Sequence, residues 1–528
     1  MERWKPPVEL SRQEQMLMKR LVRVRALFGF LRTHRHELFD DEFQGLLESM
    51  YRTTGAGDPP NKPAQMCMAV LLQGYVGASD AEAVELTLVD LRWQMVLDCV
   101  GAVEPPFSQG SLQAFRERMI EHQMDRALLE KTAELVRAGA ASNGDSQMIG
   151  KAIKVAIDSR PLAGAGRVED TINLLGHAAR SIVRIVSKIT DRNPRRSVTT
   201  RAFRCCLRRA SKPGSTSTGA TRRKAIGIEI VERQVSSLQR WIDRHLEEVI
   251  NEPLRPYIEA IAQVRTQDLE TAADGAVRIR QGVAPDRRIS IEDTQMRHGR
   301  KSRSKRFDGY KEHIARDLEL PLIAACAVTP ANRPEEEGAA PIGEDIALQG
   351  LRLIELHIDR AYVNSPLVTD VVKSGGRVFA KPWGVHARAP GMFTKHDFKI
   401  DLRAQTVSCP AGQVEPFEPG DTVEFDPEVC GACALRSKCT QAASGRGRTI
   451  SIAADEAMQK KFRVLQKTRT GRCTLRRRTA VEHALAHIAA RKGQRARYVG
   501  VRKNLFDLRR AAAIQNLEAV QRQLMMAA

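Results

Sequence analysis

The chain has 528 residues and carries 84 Lys and Arg against 63 Asp and Glu, a formal net charge of +21 at pH 7. No apolar run is long enough to span a bilayer, and the start, MERWKPPVEL, has no apolar signal core; a cytoplasmic protein is expected. The length exceeds one ordinary core and predicts three or four units, one or more inserted into another. A basic excess of this size points to a polyanion, and phosphate neutralisation makes nucleic acid the expected partner; the bland alternative is a basic proteome. Ten cysteines without an export signal argue against a disulfide framework and for buried or metal-bound thiols.

From Ser11 to Gln123 apolar residues recur at helical spacing, in Met16 to Leu31 and again in Met66 to Tyr75, with the Pro-rich GAGDPPNKP between them. Ser108 opens a further helix through Phe115 and Met119. Residues 1–145 are therefore expected to be an all-helical N-terminal domain, either a DNA-binding or dimerising module or a plain bundle.

After the polar link ASNGDSQ, Lys154 to Ser159 alternates as a strand that ends on Asp158. A second strand of the same design, Leu351 to Ile358, ends on Asp359. A third carboxylate, Glu482, follows Arg476-Arg477-Arg478 in an amphipathic helix whose apolar stripe is Val481, Leu485 and Ile488. Two aspartates at strand ends and a glutamate on a helix make an oxygen-rich set suited to Mg²⁺. The glycines of PLAGAGRVED form a turn, not a phosphate loop, because the Lys-Ser/Thr of a P-loop is missing; Asp170 or Thr171 then caps a long helix bearing Ile172, Leu175, Ile182, Ile185 and Val186.

Between Asp191 and Lys224 the chain is basic and low in complexity, Arg208 and Arg209 included; it is either a strand-tracking segment on phosphates or a solvated loop. Helical pattern returns from Ile226 to Leu269, which makes 176–290 a helical and basic insertion. KRFDGYKEHIARD and LPLIAACAVTPAN then read as a β-hairpin. The run into it, with Arg300, Lys301, Arg303, Lys305 and Arg306 beside Phe307, Tyr310 and Lys311, combines cations and aromatics suited to DNA. Beyond Asp359 a helical crossover precedes a fifth strand, Arg377 to Ala380.

In 385–455 turn residues and cysteines replace the helical signal. Cys409 with Cys430, Cys433 and Cys439 can close a tetrahedral Zn²⁺ site, and a segment expected to have little core has reason to need one. The alternative is four reduced buried thiols, with His386 or His396 as substitute ligands. His483 and His487 lack the HExxH pattern and read as exposed. Residues 516–528 read as a C-terminal tail.

Taken in order, YRTTGAGDPPNKPAQMCMAVLL, VAIDSRPLAGAGRVEDT, RHGRKSRSKRFDGYKEHIARD with VTPAN, HIDRAYVNSPLV and RRRTAVEHALAHIAARKGQRARYVGVRKN resemble the DDE transposases of bacterial insertion sequences. The cysteine segment resembles that of the insertion sequence 1182 type. The resemblance implies an α/β fold: an RNase H-like mixed-sheet catalytic core over 150–515, with the all-helical N-terminal domain and the helical and Cys-rich β-type insertions already outlined. It implies that Asp158, Asp359 and Glu482 bind two Mg²⁺ (or Mn²⁺) ions, and that the enzyme cleaves transposon ends and transfers a 3′-OH into target DNA as a homodimer on double-stranded DNA. The rival is a catalytically silent, domesticated DNA-binding protein of the same fold. Arg478 takes the Arg place of the family's Y-R-E-K signature around Glu482. Leu475 and Ala489 stand at the Tyr and Lys places, and nearby Arg491 or Lys492 is expected to compensate.

Overall fold

The computed structural model describes residues 2–21, 26–51, 60–142, 151–189, 217–245, 251–302, 304–385 and 387–527. By its contacts the chain divides into two compact units. Met1–Lys151, Asp158–Arg352 and His483–Ala528 form the first; Ala152–Ile157 and Leu353–Glu482 form the second.

The first unit begins with α1 (Arg12–Met18), α2 (Leu27–Leu38), α3 (Asp41–Glu48), α4 (Pro63–Val76), α5 (Asp80–Val89), α6 (Leu91–Leu97), α7 (Gln109–Glu121) and α8 (Met124–Ser142). Local chemistry explains their ends. Ser11 and Glu14 make a reciprocal capping box at α1, Ser79 and Glu82 do the same at α5, and α4 starts on Pro63 and stops on Gly77 at φ +84°. α4 is buried nearly all round, from Ala64 to Gln73. It packs against α19 (Val501–Ala527), the last helix, which also lies along α8. The helices of 1–145, expected as a domain of their own, thus share a compact unit with residues from the far end of the chain. The expected tail at 516–528 is instead the second half of α19, with Asn516 fully buried and donating to the Ile323 carbonyl at 3.0 Å.

The strand β1 (Ala152–Ala163) does not end on Asp158. It runs five residues further, through Pro161, and its end is held by Ala163, whose amide donates to the Gln494 carbonyl at 2.9 Å and whose carbonyl accepts from Ala496 at 2.7 Å. α9 (Thr171–Ile189) follows, its first turn capped by Asp170, which accepts from Asn173 at 2.9 Å. Leu175, Ile182 and Val186 of α9 pack with Ile228, Val235 and Leu238 of α10 (Ser217–His245) and with Leu254, Ile261 and Val264 of α11 (Asn251–Asp268), so the helical insertion has its own core. The small hairpin β2 (Leu269–Thr271) and β3 (Val277–Ile279) closes it.

The basic run expected to lead into a strand is itself β4 (Arg297–Arg300) and a turn, paired antiparallel with β5 (Arg306–Asp317). β5 also pairs antiparallel with β6 (Ile323–Pro330), as the hairpin reading required, and with β1. Gly309, at φ +150°, sits where β5 meets β1; a Cβ there would fall 2.2 Å from the Leu162 carbonyl oxygen. α12 (Ala339–Leu348) packs on β6.

In the second unit β7 (Arg352–His357) pairs with β1 and, in parallel, with β8 (Arg377–Phe379). The crossover between β7 and β8 is α13 (Pro366–Lys373). The cysteine region contributes β9 (Lys399–Asp401), β10 (Thr406–Ser408) and β11 (Val414–Pro416) as one small sheet, and β12 (Thr422–Glu424) with β13 (Thr449–Ser451) as another. Between them stand α14 (Pro427–Ala432) and α15 (Arg436–Cys439). Contrary to expectation this region has a core: Phe398, Val407, Phe417, Phe425, Ile450 and Ile452 are buried together. α16 (Glu456–Lys467) and α17 (Arg469–Arg476) then lead to α18 (Thr479–Lys492), which passes from the second unit to the first after Glu482.

Candidate catalytic carboxylates and cysteine pocket

Asp158 is half-buried midway along β1, and its Oδ1 accepts the Ser159 amide at 2.9 Å. Asp359 follows β7 by two residues and stands at the head of a 3₁₀ turn, Arg360–Tyr362, with extended backbone and no side-chain capping bond. Glu482 lies in the first turn of α18, its side chain 46% exposed, and its Oε1 accepts from Arg478 at 2.7 Å. The i, i+4 pairing expected of these two residues is therefore formed.

The sequence reading missed Glu355. This carboxylate, on β7 four residues ahead of Asp359, is buried and bonds three partners: His357 at 2.8 Å, Arg377 at 2.7 Å and Arg477 at 2.7 Å. Burial alone would raise its pKa, but the His357 hydrogen bond and the charges of Arg477 and Arg377 hold it below the usual carboxylate range. Burial also pushes His357 below its ordinary value, against the pull of Glu355, while its ring stacks on Phe379 at 4.7 Å. Because Arg477 immediately precedes Arg478, the Glu355 bond ties the approach to Glu482 onto the strand that leads to Asp359. The Arg476-Arg477-Arg478 run reads as one basic block, so nothing in it marks the middle member as the structural one.

The two residues expected to replace the missing signature lysine are otherwise engaged. The Lys492 ammonium, only 5% exposed, bonds Glu312 at 2.6 Å and Asp507 at 2.9 Å. Arg491 bonds Glu518 at 2.7 Å and lies over the Tyr75 ring. His483 and His487 are exposed, as expected.

The candidate DNA-contacting residues separate into three groups. Arg300, Lys301, Lys305 and Arg306 are exposed around the β4–β5 turn, which the Lys301 amide closes on the Lys305 carbonyl at 2.9 Å. Tyr310 is fully buried, its hydroxyl donating to Asp293 and accepting the Gly500 amide at 3.1 Å, so its ring is not offered to a base. Burial, with the neighbouring Asp293, pushes its phenol well above the usual range. Lys311 is half-buried, lowered by that burial, and donates to the Arg333 carbonyl at 2.7 Å. Arg208, Arg209 and Arg303 lie outside the described residues.

Cys409, Cys430, Cys433 and Cys439 line a single cavity with Phe393 and Phe425. Burial raises the Cys439 thiol, the other three cysteines add to the rise, and Arg448 opposes it. His396 lines a different cavity, beside Lys395 and Glu456, and His386 lies outside the described residues. Among the described residues no three His, Cys, Asp or Glu side chains are grouped closely enough to hold a metal ion. The four cysteines thus converge on one cavity without forming a closed ligand set.

Residues 409–521 match the family model described as Transposase DDE domain. The match supports a DDE transposase, and with it an enzyme of the nuclease and transposase kind, a class that acts on DNA and uses divalent metals. It begins at Cys409, takes in all four cysteines, Arg478 and Glu482, and ends within α19; Asp158 and Asp359 lie outside it. No curated protein and no solved structure matches the chain. Among the described residues no helix is long and apolar enough to cross a membrane.

Proposed function

We propose that the chain is a cytoplasmic transposase that cuts DNA at the ends of a mobile element and joins the freed 3′-OH to target DNA. The core would be RNase H-like, and the protein would act as a homodimer on duplex DNA. The observation that carries this reading is the coincidence of the family match with the Glu355–Arg477 bond, which makes one connected piece of the strand before Asp359 and the helix start bearing Glu482. The antiparallel β5–β6 hairpin and the parallel β7–β8 pair joined by a helical crossover support the core reading.

Asp158, Asp359 and Glu482 are hard oxygen donors, the chemistry that Mg²⁺ or Mn²⁺ requires. Two such ions bound there would lower the pKa of the attacking water or 3′-OH and stabilise the leaving 3′ oxygen. The carboxylates then serve as ligands and do not accept the proton themselves. Arg478 neutralises part of the Glu482 charge and stands next to where a scissile phosphate would approach. Glu355 touches no reacting atom; it holds Arg477, and through it the start of α18.

Asp158→Asn, Asp359→Asn and Glu482→Gln should each abolish Mg²⁺-dependent cleavage of end-bearing DNA, with affinity for that DNA within about threefold of wild type. Near-wild-type cleavage by any one variant removes that residue from the site. Wild-type protein that binds ends but never cuts them favours the silent, domesticated alternative.

The cysteine cavity is proposed to hold one structural Zn²⁺ on Cys409, Cys430, Cys433 and Cys439. Four thiols around one cavity are the donor set that zinc prefers. Because the region has a core of its own, the ion would order the α14–α15 segment and not the whole insertion. Metal analysis of protein purified without chelator should find about one zinc per chain. Substoichiometric zinc with four titratable thiols in the folded protein ends the idea.

A further inference from the structure

Between Ala457 and Val481 the chain carries nine Lys and Arg and no Asp or Glu. α16 and α17 sort these charges by face. α16 turns Glu456, Gln459 and Phe462 inward and leaves Lys460, Lys461 and Lys467 exposed. On α17, Arg469, Arg472 and Arg476 fall at i, i+3 and i+7, all exposed on one face. The two helices are locked together: Thr468 alone links them and caps α17, and a Cβ on Gly471 would fall 2.1 Å from the Leu465 carbonyl oxygen.

The nearby acids are already committed. Glu456 holds Lys395 at 2.5 Å and Arg463 at 2.8 Å, Glu355 holds Arg477, and Glu482 holds Arg478. Like charges three and four residues apart on a helix repel one another, and no acid of the same segment offsets them. Arg472 donates to the Lys467 carbonyl at 2.8 Å, and the face as a whole gains from a polyanion, which releases its counterions on binding. Phe462, the one aromatic residue of the segment, is buried, so the face offers no stacking platform for unpaired bases.

We propose that the exposed face of α16 and α17 is a track for the phosphodiester backbone of duplex DNA. It is separate from the β4–β5 turn and independent of base sequence. The track leads through Arg477 and Arg478 to Glu482, so its place beside a scissile phosphate rests on the transposase reading; its binding does not.

The test uses the full-length protein and a labelled DNA duplex without transposon ends, with affinity followed by anisotropy across a salt series. Changing Lys460, Lys461, Lys467, Arg469, Arg472 and Arg476 together to Gln should weaken binding and flatten the log–log salt slope by about 3–5. Arg469→Lys, Arg472→Lys and Arg476→Lys together should keep the slope, since point charges suffice for phosphates. An unchanged slope in the Gln variant, with thermal unfolding like wild type, overturns the track. So does a loss confined to duplex RNA of the same sequence. A wild-type protein that shows the slope but cuts no DNA leaves the track standing while the transposase reading falls.

Discussion

The cations at the end of the first unit and those of the α16–α17 face in the second are the same residue types with opposite fates. In the first unit Lys492 is enclosed by Glu312 and Asp507, and Arg160 reaches Glu312 at 2.6 Å. There too Arg509 joins Asp345 at 2.7 Å and Asp125 at 3.2 Å, and Arg510 joins Asp507 at 2.6 Å. In the second unit Lys460, Lys461, Lys467, Arg469, Arg472 and Arg476 face solvent. The 84 Lys and Arg therefore overstate the cations that can meet a polyanion: some are held inside by acids that cancel them, and sequence alone gives no means of dividing the two sets.

The largest effect that would test this contrast is Lys492→Met. Burial by itself would lower the Lys492 pKa, and Glu312 and Asp507 raise it above the ordinary value, so the pair is held charged. Removing the ammonium leaves two buried carboxylates short of a partner and should cost roughly 3–5 kcal/mol. Denaturant unfolding followed by the buried Trp4 and Trp93 of the first unit reads this directly. A silent variant would erase the distinction between the two sets of cations.

A smaller effect comes from His313, next to Glu312 on β5. It is fully buried, bonded to Thr329 at 2.9 Å and pressed by Gly338, where a Cβ would lie 2.5 Å from its ring. Burial, with Lys311 nearby, drives its pKa from 6.5 down to about 3. The unfolded chain protonates this histidine below pH 6.5 while the folded one does not, so its contribution to stability is complete above pH 6.5 and lost as pH falls towards 3. At pH 5 the loss should be about 2 kcal/mol. His313→Gln should flatten the stability profile between pH 6.5 and pH 4; an unchanged slope would place the acid sensitivity elsewhere.

The smallest effect is expected on the exposed face. Arg469→Gln and Arg476→Gln should each change stability by less than about 0.5 kcal/mol, in the stabilising direction, because each relieves like-charge repulsion. A loss above that in thermal unfolding would mean that these side chains are structural after all.

The alternation of Lys154 to Ile157 made β1 legible, and the apolar spacing of α9 and of Val481, Leu485 and Ile488 did the same for their helices. Pro161 hid the rest of β1, since proline normally ends a strand, and with it the role of Arg160. β5 is buried on both sides from Glu312 to Ala315, so no two-residue rhythm separated Tyr310, which lies inside, from the exposed cations before it. Glu355 and Lys492 escaped because a buried charge is defined by partners more than a hundred residues away in the case of Arg477 and Glu312. The core of the cysteine region escaped for a simpler reason: its phenylalanines are spread singly over short strands.

The packing of α19 against α4 and α8 sets a clock on biosynthesis. The chain's last helix covers apolar surface made near its start, so α4 and α8 leave the ribosome without the partner that will bury them. At ~5–20 residues per second, they wait roughly 20–90 s for α19 to be made. The first unit can close only once α19 has been made, and until then the apolar side of α4 is open to other nascent chains and to chaperones.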